Sequence, residues 1–122
     1  MTTTLLIKAL PSNQTLRVVT ADTFDEWTRG LSGHEHVPLD GMLFRFPSPA
    51  LFRGFQTRDM LVPIDLAFIC KSGKVRATYL NARPGATTMI EAARMAPTYR
   101  YVLETRAGLL AQLRPTSFSG LF

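Results

Sequence analysis

Ile64-Asp65-Leu66-Ala67-Phe68-Ile69-Cys70-Lys71-Ser72-Gly73-Lys74-Val75-Arg76-Ala77-Thr78-Tyr79-Leu80-Asn81 is the stretch that decides the fold class. Residues 64–71 and 74–81 are rich in β-branched and aromatic side chains, and Ser72-Gly73 supplies the turn between them, so the stretch reads as a β-hairpin. Strands extend outward from it in both directions. Thr4 to Leu10 and Thr15 to Thr20 form two short strands around a Pro11-Ser12-Asn13 turn. Gly41 to Phe46 is a buried strand stopped by Pro47-Ser48-Pro49. Leu51 to Asp59 reads as extended with Gly54 at a bulge, and Tyr99 to Thr105 returns to strand. Helical signals are fewer. Thr23-Phe24-Asp25-Glu26 carries a capping box, and Phe24, Trp27 and Leu31 fall on one helical face before Gly30 or Gly33 ends the segment. Ser32 to Asp40 is a polar loop. Thr88 to Met95 makes a short helix ended by Pro97, and Ala107 to Leu113 makes one or two helical turns. Six or more strands with only short helices predict a mainly β chain. The expectation is a single small barrel/sandwich-like domain over residues 1–122.

Composition narrows the functional classes. A chain of 122 residues that is 46% hydrophobic and 19% charged can bury one core without staples. The lone cysteine, Cys70, excludes an internal disulfide framework and a cysteine-based metal cluster, and its apolar run makes it a small buried hydrophobe. No run approaches the ~20 apolar residues needed to span a bilayer. Met1 to Lys8 lacks the basic start and long apolar core of a signal peptide, so an exported form would have lost its leader upstream of this numbering. The net charge of +5 comes from eleven arginines and three lysines set against nine acids. The basic residues are scattered, without a nucleic-acid-binding signature, so no specific nucleic-acid partner is expected. The arginine bias suits bidentate pairing with carboxylates or other oxyanions.

Charged residues inside apolar runs are the candidate chemistry, because a buried carboxylate is costly unless paired or hydrogen-bonded. Asp65 lies within Pro63-Ile64-Asp65-Leu66-Ala67-Phe68-Ile69, and Glu104 within Tyr101-Val102-Leu103-Glu104. With Arg58 and Asp59 they form the best constellation, and Phe55 and Gln56 stand at its rim. One reading is a polar pocket in which arginine fixes an oxyanion and the carboxylates accept hydrogen bonds or move protons. The other is a buried polar network that holds the loop before Pro63 against the sheet. His34-Glu35-His36 with Asp40 is the one metal-like cluster, but no further histidine completes it, and no metal or cofactor is expected. Gly30-Leu31-Ser32-Gly33-His34 has histidine where a nucleophile elbow needs glycine, and it follows a helix rather than a strand. Phosphate-loop and dinucleotide fingerprints are absent. Phe44, Phe46, Phe52, Phe55, Phe68, Met42 and Met60 read mainly as core, with Phe52 and Phe55 beside Gly54 as candidates for stacking on a ligand.

Gly41-Met42-Leu43-Phe44, the Pro63-Ile64-Asp65 block leading into Phe68-Ile69, the Ser72-Gly73-Lys74-Val75 turn, and Val102-Leu103-Glu104 followed by Ala107-Gly108 resemble one prokaryotic family, domain of unknown function 192. Gly30-Leu31 after the first helix matches as well, and the similarity runs from about Leu16 to Leu113. The resemblance implies a compact β-rich fold and bacterial members that are often exported or lipid-anchored, which points to an exported or periplasmic location. It implies no established activity. Departures fall at one place in particular. Where the family has Trp-Met-Lys-Asn-Thr before its Pro-Leu-Asp, this chain has Gln56-Thr57-Arg58-Asp59-Met60, which keeps the positive charge and loses the aromatic ring. The family's Gly-Leu-Met becomes Gly30-Leu31-Ser32, and His34 stands near where an arginine is expected.

The leading functional expectation is a non-enzymatic binding module for a small polar ligand or carbohydrate, lined by Arg58, Asp59, Asp65 and Glu104. The alternatives are a hydrolase or lyase with Asp59 or Asp65 as general base, and an envelope accessory protein that binds another protein.

Overall fold

The computed structural model describes residues 3–47, 60–85 and 99–122. Within them lie seven strands and two short helices: β1 (Thr4–Leu10), β2 (Gln14–Ala21), α1 (Phe24–Arg29), β3 (Gly41–Arg45), β4 (Ile64–Cys70), β5 (Val75–Ala82), β6 (Tyr99–Arg106), α2 (Leu109–Leu113) and β7 (Ser117–Ser119). The strands form one curled sheet of order β5-β4-β6-β3-β2-β1-β7, so the mainly β, barrel-like expectation holds. The extended run expected at 51–59 and the helix expected at 88–95 lie outside the described residues.

Local chemistry accounts for each element. Asn13 takes a positive φ of 70° and its N–H donates to the Ala9 carbonyl at 2.8 Å, which turns β1 back onto β2 with Leu5 opposite Val18. Thr23 and Glu26 complete the capping box that starts α1, and Gly30 ends it. This helix carries the chain from β2 to β3, which run parallel. β3 and β6 lie mid-sheet with an apolar cluster packed on each face, which is why Met42 to Phe44 and Tyr101 to Thr105 are buried whichever way their side chains point. The β4–β5 hairpin forms where the sequence places it, with Ile69 opposite Val75 and the Gly73 N–H donating to the Cys70 carbonyl. β7 carries no signal of its own in the sequence. It pairs with β1, and Ser117 also bridges to Lys74, so both ends of the strand order meet at one corner and the sheet closes there.

Each face of the sheet carries its own apolar cluster. The first contains Trp27, Phe44, Phe46, Met60, Leu66, Phe68, Tyr99 and Val102, and the Trp27 indole N–H donates to the Ala21 carbonyl at 2.8 Å. The second contains Ile7, Leu16, Leu43, Ala67, Ile69, Leu103, Leu110 and Phe118, with α2 lying against β4 and β6. Met42, Met60, Phe44, Phe46 and Phe68 are core, as expected. Cys70 is only half-buried, because the register slips between Ile69 and Cys70 at the end of β4 and carries the thiol off the core face.

Candidate functional site

Asp65 and Glu104 stand on neighbouring strands, but the structure does not bring them together. β4 and β6 pair so that Asp65 faces Thr105 and Leu66 faces Glu104. Side chains alternate along a strand. Asp65 therefore shares its face with Ala67 and Ile69 of the second cluster, and Glu104 shares its face with Val102 of the first. A one-residue offset puts the whole sheet between the two carboxyls.

Asp65 is fully buried, and backbone donors surround it. One oxygen accepts the Asn81 N–H at 2.8 Å; the other accepts Gly108, Leu110 and Ala111 N–H at 3.0, 3.1 and 3.3 Å. Both sets of donors need an outside acceptor. The β4–β5 register shifts between Ile64 and Leu66, so the ladder is irregular at Asn81, which takes a φ of 54°. The first N–H groups of a helix have no partner inside it, and Gly108 at the N-cap of α2 has no side chain to supply one. A single carboxylate thus caps a helix more than forty residues away and seals a bulge. This is the second of the two sequence-level readings, a polar network, with backbone amides in place of an ion pair.

Glu104 sits in a different environment. It lies in a cross-strand row with Met42 of β3 on one side and Leu66 of β4 on the other, and Val19 and Tyr79 extend the row. It is 4% exposed. Burial alone pushes its carboxyl up to about 8, so near neutral pH it holds its proton. A protonated carboxyl carries one donor and an acceptor in an apolar wall, which suits hydrogen bonding to a polar group brought against it. No described residue donates to it or accepts from it. The contrast with Asp65 is direct, since one buried carboxyl has four backbone partners and the other is held among Met42, Leu66 and Val102.

Arg58, Asp59, Phe55 and Gln56 lie outside the described residues. The chain re-enters at Met60, which is buried in the first cluster, on the face that carries Glu104. His34, Glu35 and His36 are exposed, Asp40 accepts the Arg17 N–H at 2.8 Å, and among the described residues no three metal-ligating side chains converge. Composition and spacing also leave the Arg45–Asp22 pair unannounced, since its partners are far apart in sequence. Two nitrogens of Arg45 donate to the two oxygens of Asp22 at 2.6 and 2.8 Å, and this pairing holds the Asp22 carboxyl below its ordinary range.

Comparison with known proteins places the fold and the family. A protein from Sinorhizobium meliloti 1021 named "putative transcription regulator" matches with a TM-score of 0.77 and 25% identity, over 98% of this chain and 95% of that one. A protein of unknown function from Novosphingobium aromaticivorans DSM 12444 has the same fold, with a TM-score of 0.73 and 22% identity, over 97% of this chain and 84% of that one. No curated protein matches the chain. Residues 7–116 match domain of unknown function 192, described as "Uncharacterized ACR". The chain belongs to that uncharacterised family, domain of unknown function 192.

Proposed function

We propose that this chain is a non-enzymatic binding module for a small polar ligand or glycan, received on the sheet face that carries Glu104. The observation that carries the reading is the pair of unlike carboxyls. Asp65 is consumed by the fold, whereas Glu104 is desolvated among apolar side chains with no described partner, and a fold does not gain stability from a carboxyl held that way. Arg58 and Asp59 directly precede Met60 in the chain, and Met60 is buried in the cluster on that face. In this reading they supply an oxyanion clamp and a hydroxyl acceptor beside Glu104, with Phe55 and Gln56 at the rim. Asp65 contributes only as framework. The hydrolase alternative with Asp65 as general base is disfavoured, because a base must reach a substrate proton and none of Asp65 reaches solvent.

The test is a thermal-shift screen against sugars, small carboxylates and phosphates, run on the wild type, Glu104→Gln and Arg58→Ala. A ligand at ~100 times its dissociation constant adds ~2.7 kcal/mol, which moves the midpoint of a domain this size by several degrees. The reading predicts at least one such shift in the wild type, reduced in both variants. Silence across the panel, or a hit that both variants retain in full, would contradict it.

A further inference from the structure

Resting on the Glu104 reading above, we infer that the ligand received on that face carries an oxyanion and that Arg106 anchors it beside Glu104. Arg106 follows Glu104 by two positions on β6, so both side chains leave the same face of the sheet, with Cα atoms about 7 Å apart. The ladder agrees with this placement. Arg106 stands opposite Ile64 and Glu104 opposite Leu66, and both partners belong to the first apolar cluster. The Arg106 backbone is held in place by Ile64 of β4 and by the Thr105 hydroxyl, which donates to its carbonyl at 3.0 Å. Its side chain is exposed, and among the described residues no carboxylate pairs with it. Asp40, the acid that precedes β3 at this end of the face, accepts the Arg17 N–H at 2.8 Å.

Among the described residues no fully buried side-chain oxygen lacks a partner. Glu104 has no described partner and is 4% exposed, so that small exposure includes its carboxyl oxygens, where a ligand can reach them. A carboxyl that holds its proton in an apolar row offers a donor, and the guanidinium beside it offers donors only. The complement of two such groups, one of them charged, is an acceptor-rich anion, a carboxylate or a phosphate ester. A cationic ligand group would meet Arg106 at close range. A neutral hydroxyl would satisfy Glu104 and leave the guanidinium unused. Half-buried Val19 and Tyr79 extend the row beyond Met42 and Leu66, which leaves apolar surface for the rest of the ligand.

The experiment compares acids with their neutral counterparts on the full chain at matched ionic strength: benzoate with benzamide, glucuronate with glucose, and phenyl phosphate with phenol. Thermal shift ranks the affinities. The arginine Nε–H signals of the isotopically labelled chain, with Arg106 assigned from Arg106→Gln, report the contact directly. At least one acid should bind about tenfold tighter than its counterpart and move the Arg106 signal. Arg106→Gln should remove that preference, Arg106→Lys should restore part of it, and Glu104→Gln should weaken the same acid. Trp27 fluorescence checks that each variant keeps the first cluster intact. Benzoate or glucuronate as the tighter acid assigns a carboxylate and phenyl phosphate assigns a phosphate, and either supports the inference. A neutral compound bound as well as its acid, or an acid preference that survives Arg106→Gln, would overturn it; the Glu104 reading would still stand if Glu104→Gln weakened that binding. Silence from every pair, or acid binding that Glu104→Gln leaves intact, would overturn both.

Discussion

Asp65 and Glu104 differ in what their burial is exchanged for, and that difference is measurable against pH. Glu104 has a folded-state value near 8, above its ordinary 4.5. Below about pH 4.5 both folded and unfolded chains hold this proton. Between there and about 8 only the folded chain does, so unfolding releases a proton and stability falls as pH rises, by at most ~1.4 kcal/mol per pH unit. Asp22 and Glu26 run the other way. Hydrogen bonding from Arg45 lowers the first and the Asp22 N–H lowers the second, so their contributions are present above the ordinary carboxylate range and are lost in acid. Among the described carboxyls Glu104 is therefore the one that moves stability from pH 5 to 8, and comparison with Glu104→Gln cancels what the two chains share, the lowered Cys70 thiol included. Denaturant unfolding across it should show the wild type losing stability relative to Glu104→Gln; parallel curves would mean that Glu104 is ionised in the folded protein. The sequence announced both carboxyls, because each interrupts an apolar run. It could not separate their roles, since only the register of β4 against β6 decides which face each one meets.

Elements were legible wherever a local signal sufficed. The capping box of α1, the turn at Ser72-Gly73 and the Pro11-Ser12-Asn13 turn between β1 and β2 are written within a few residues each, and the structure follows them. β7 was not legible, because three residues with one apolar side chain make a strand only when β1 and Lys74 are there to receive them. Gly41 shows a further limit. A Cβ at that position would lie 2.5 Å from the Glu104 carbonyl oxygen, so the close approach of β3 to β6 requires glycine, although nothing next to Gly41 in sequence says so. Gly41→Ala should cost about 2 kcal/mol or more, as overpacking against backbone does. Thr23→Ala, which removes only a cap at the surface, should cost about 1 kcal/mol. Urea unfolding of both variants checks the ranking, and equal losses would show that the strands move apart freely at Gly41.

At the scale of the whole molecule, two faces of one curled sheet are put to different uses. The second face is closed by α2, β7 and Leu121, and Asp65 ties its helix to the sheet. The first face carries the aromatic cluster and the protonated Glu104, and the chain returns to it at Met60 and Tyr99. This division was beyond the sequence, which grouped Arg58, Asp59, Asp65 and Glu104 by chemistry alone. The family resemblance carried the fold and was silent on activity. The measurement that bears most directly on the division is equilibrium unfolding at pH 8 of the wild type, Asp65→Asn and Glu104→Gln, with Trp27 as reporter. An amide at position 65 must turn its own donor toward backbone N–H groups, so Asp65→Asn should lose about 3 kcal/mol or more, and Glu104→Gln should be at least as stable as the wild type. Equal, large losses in both variants would show that Glu104 also holds the fold, and would contradict its assignment to a ligand.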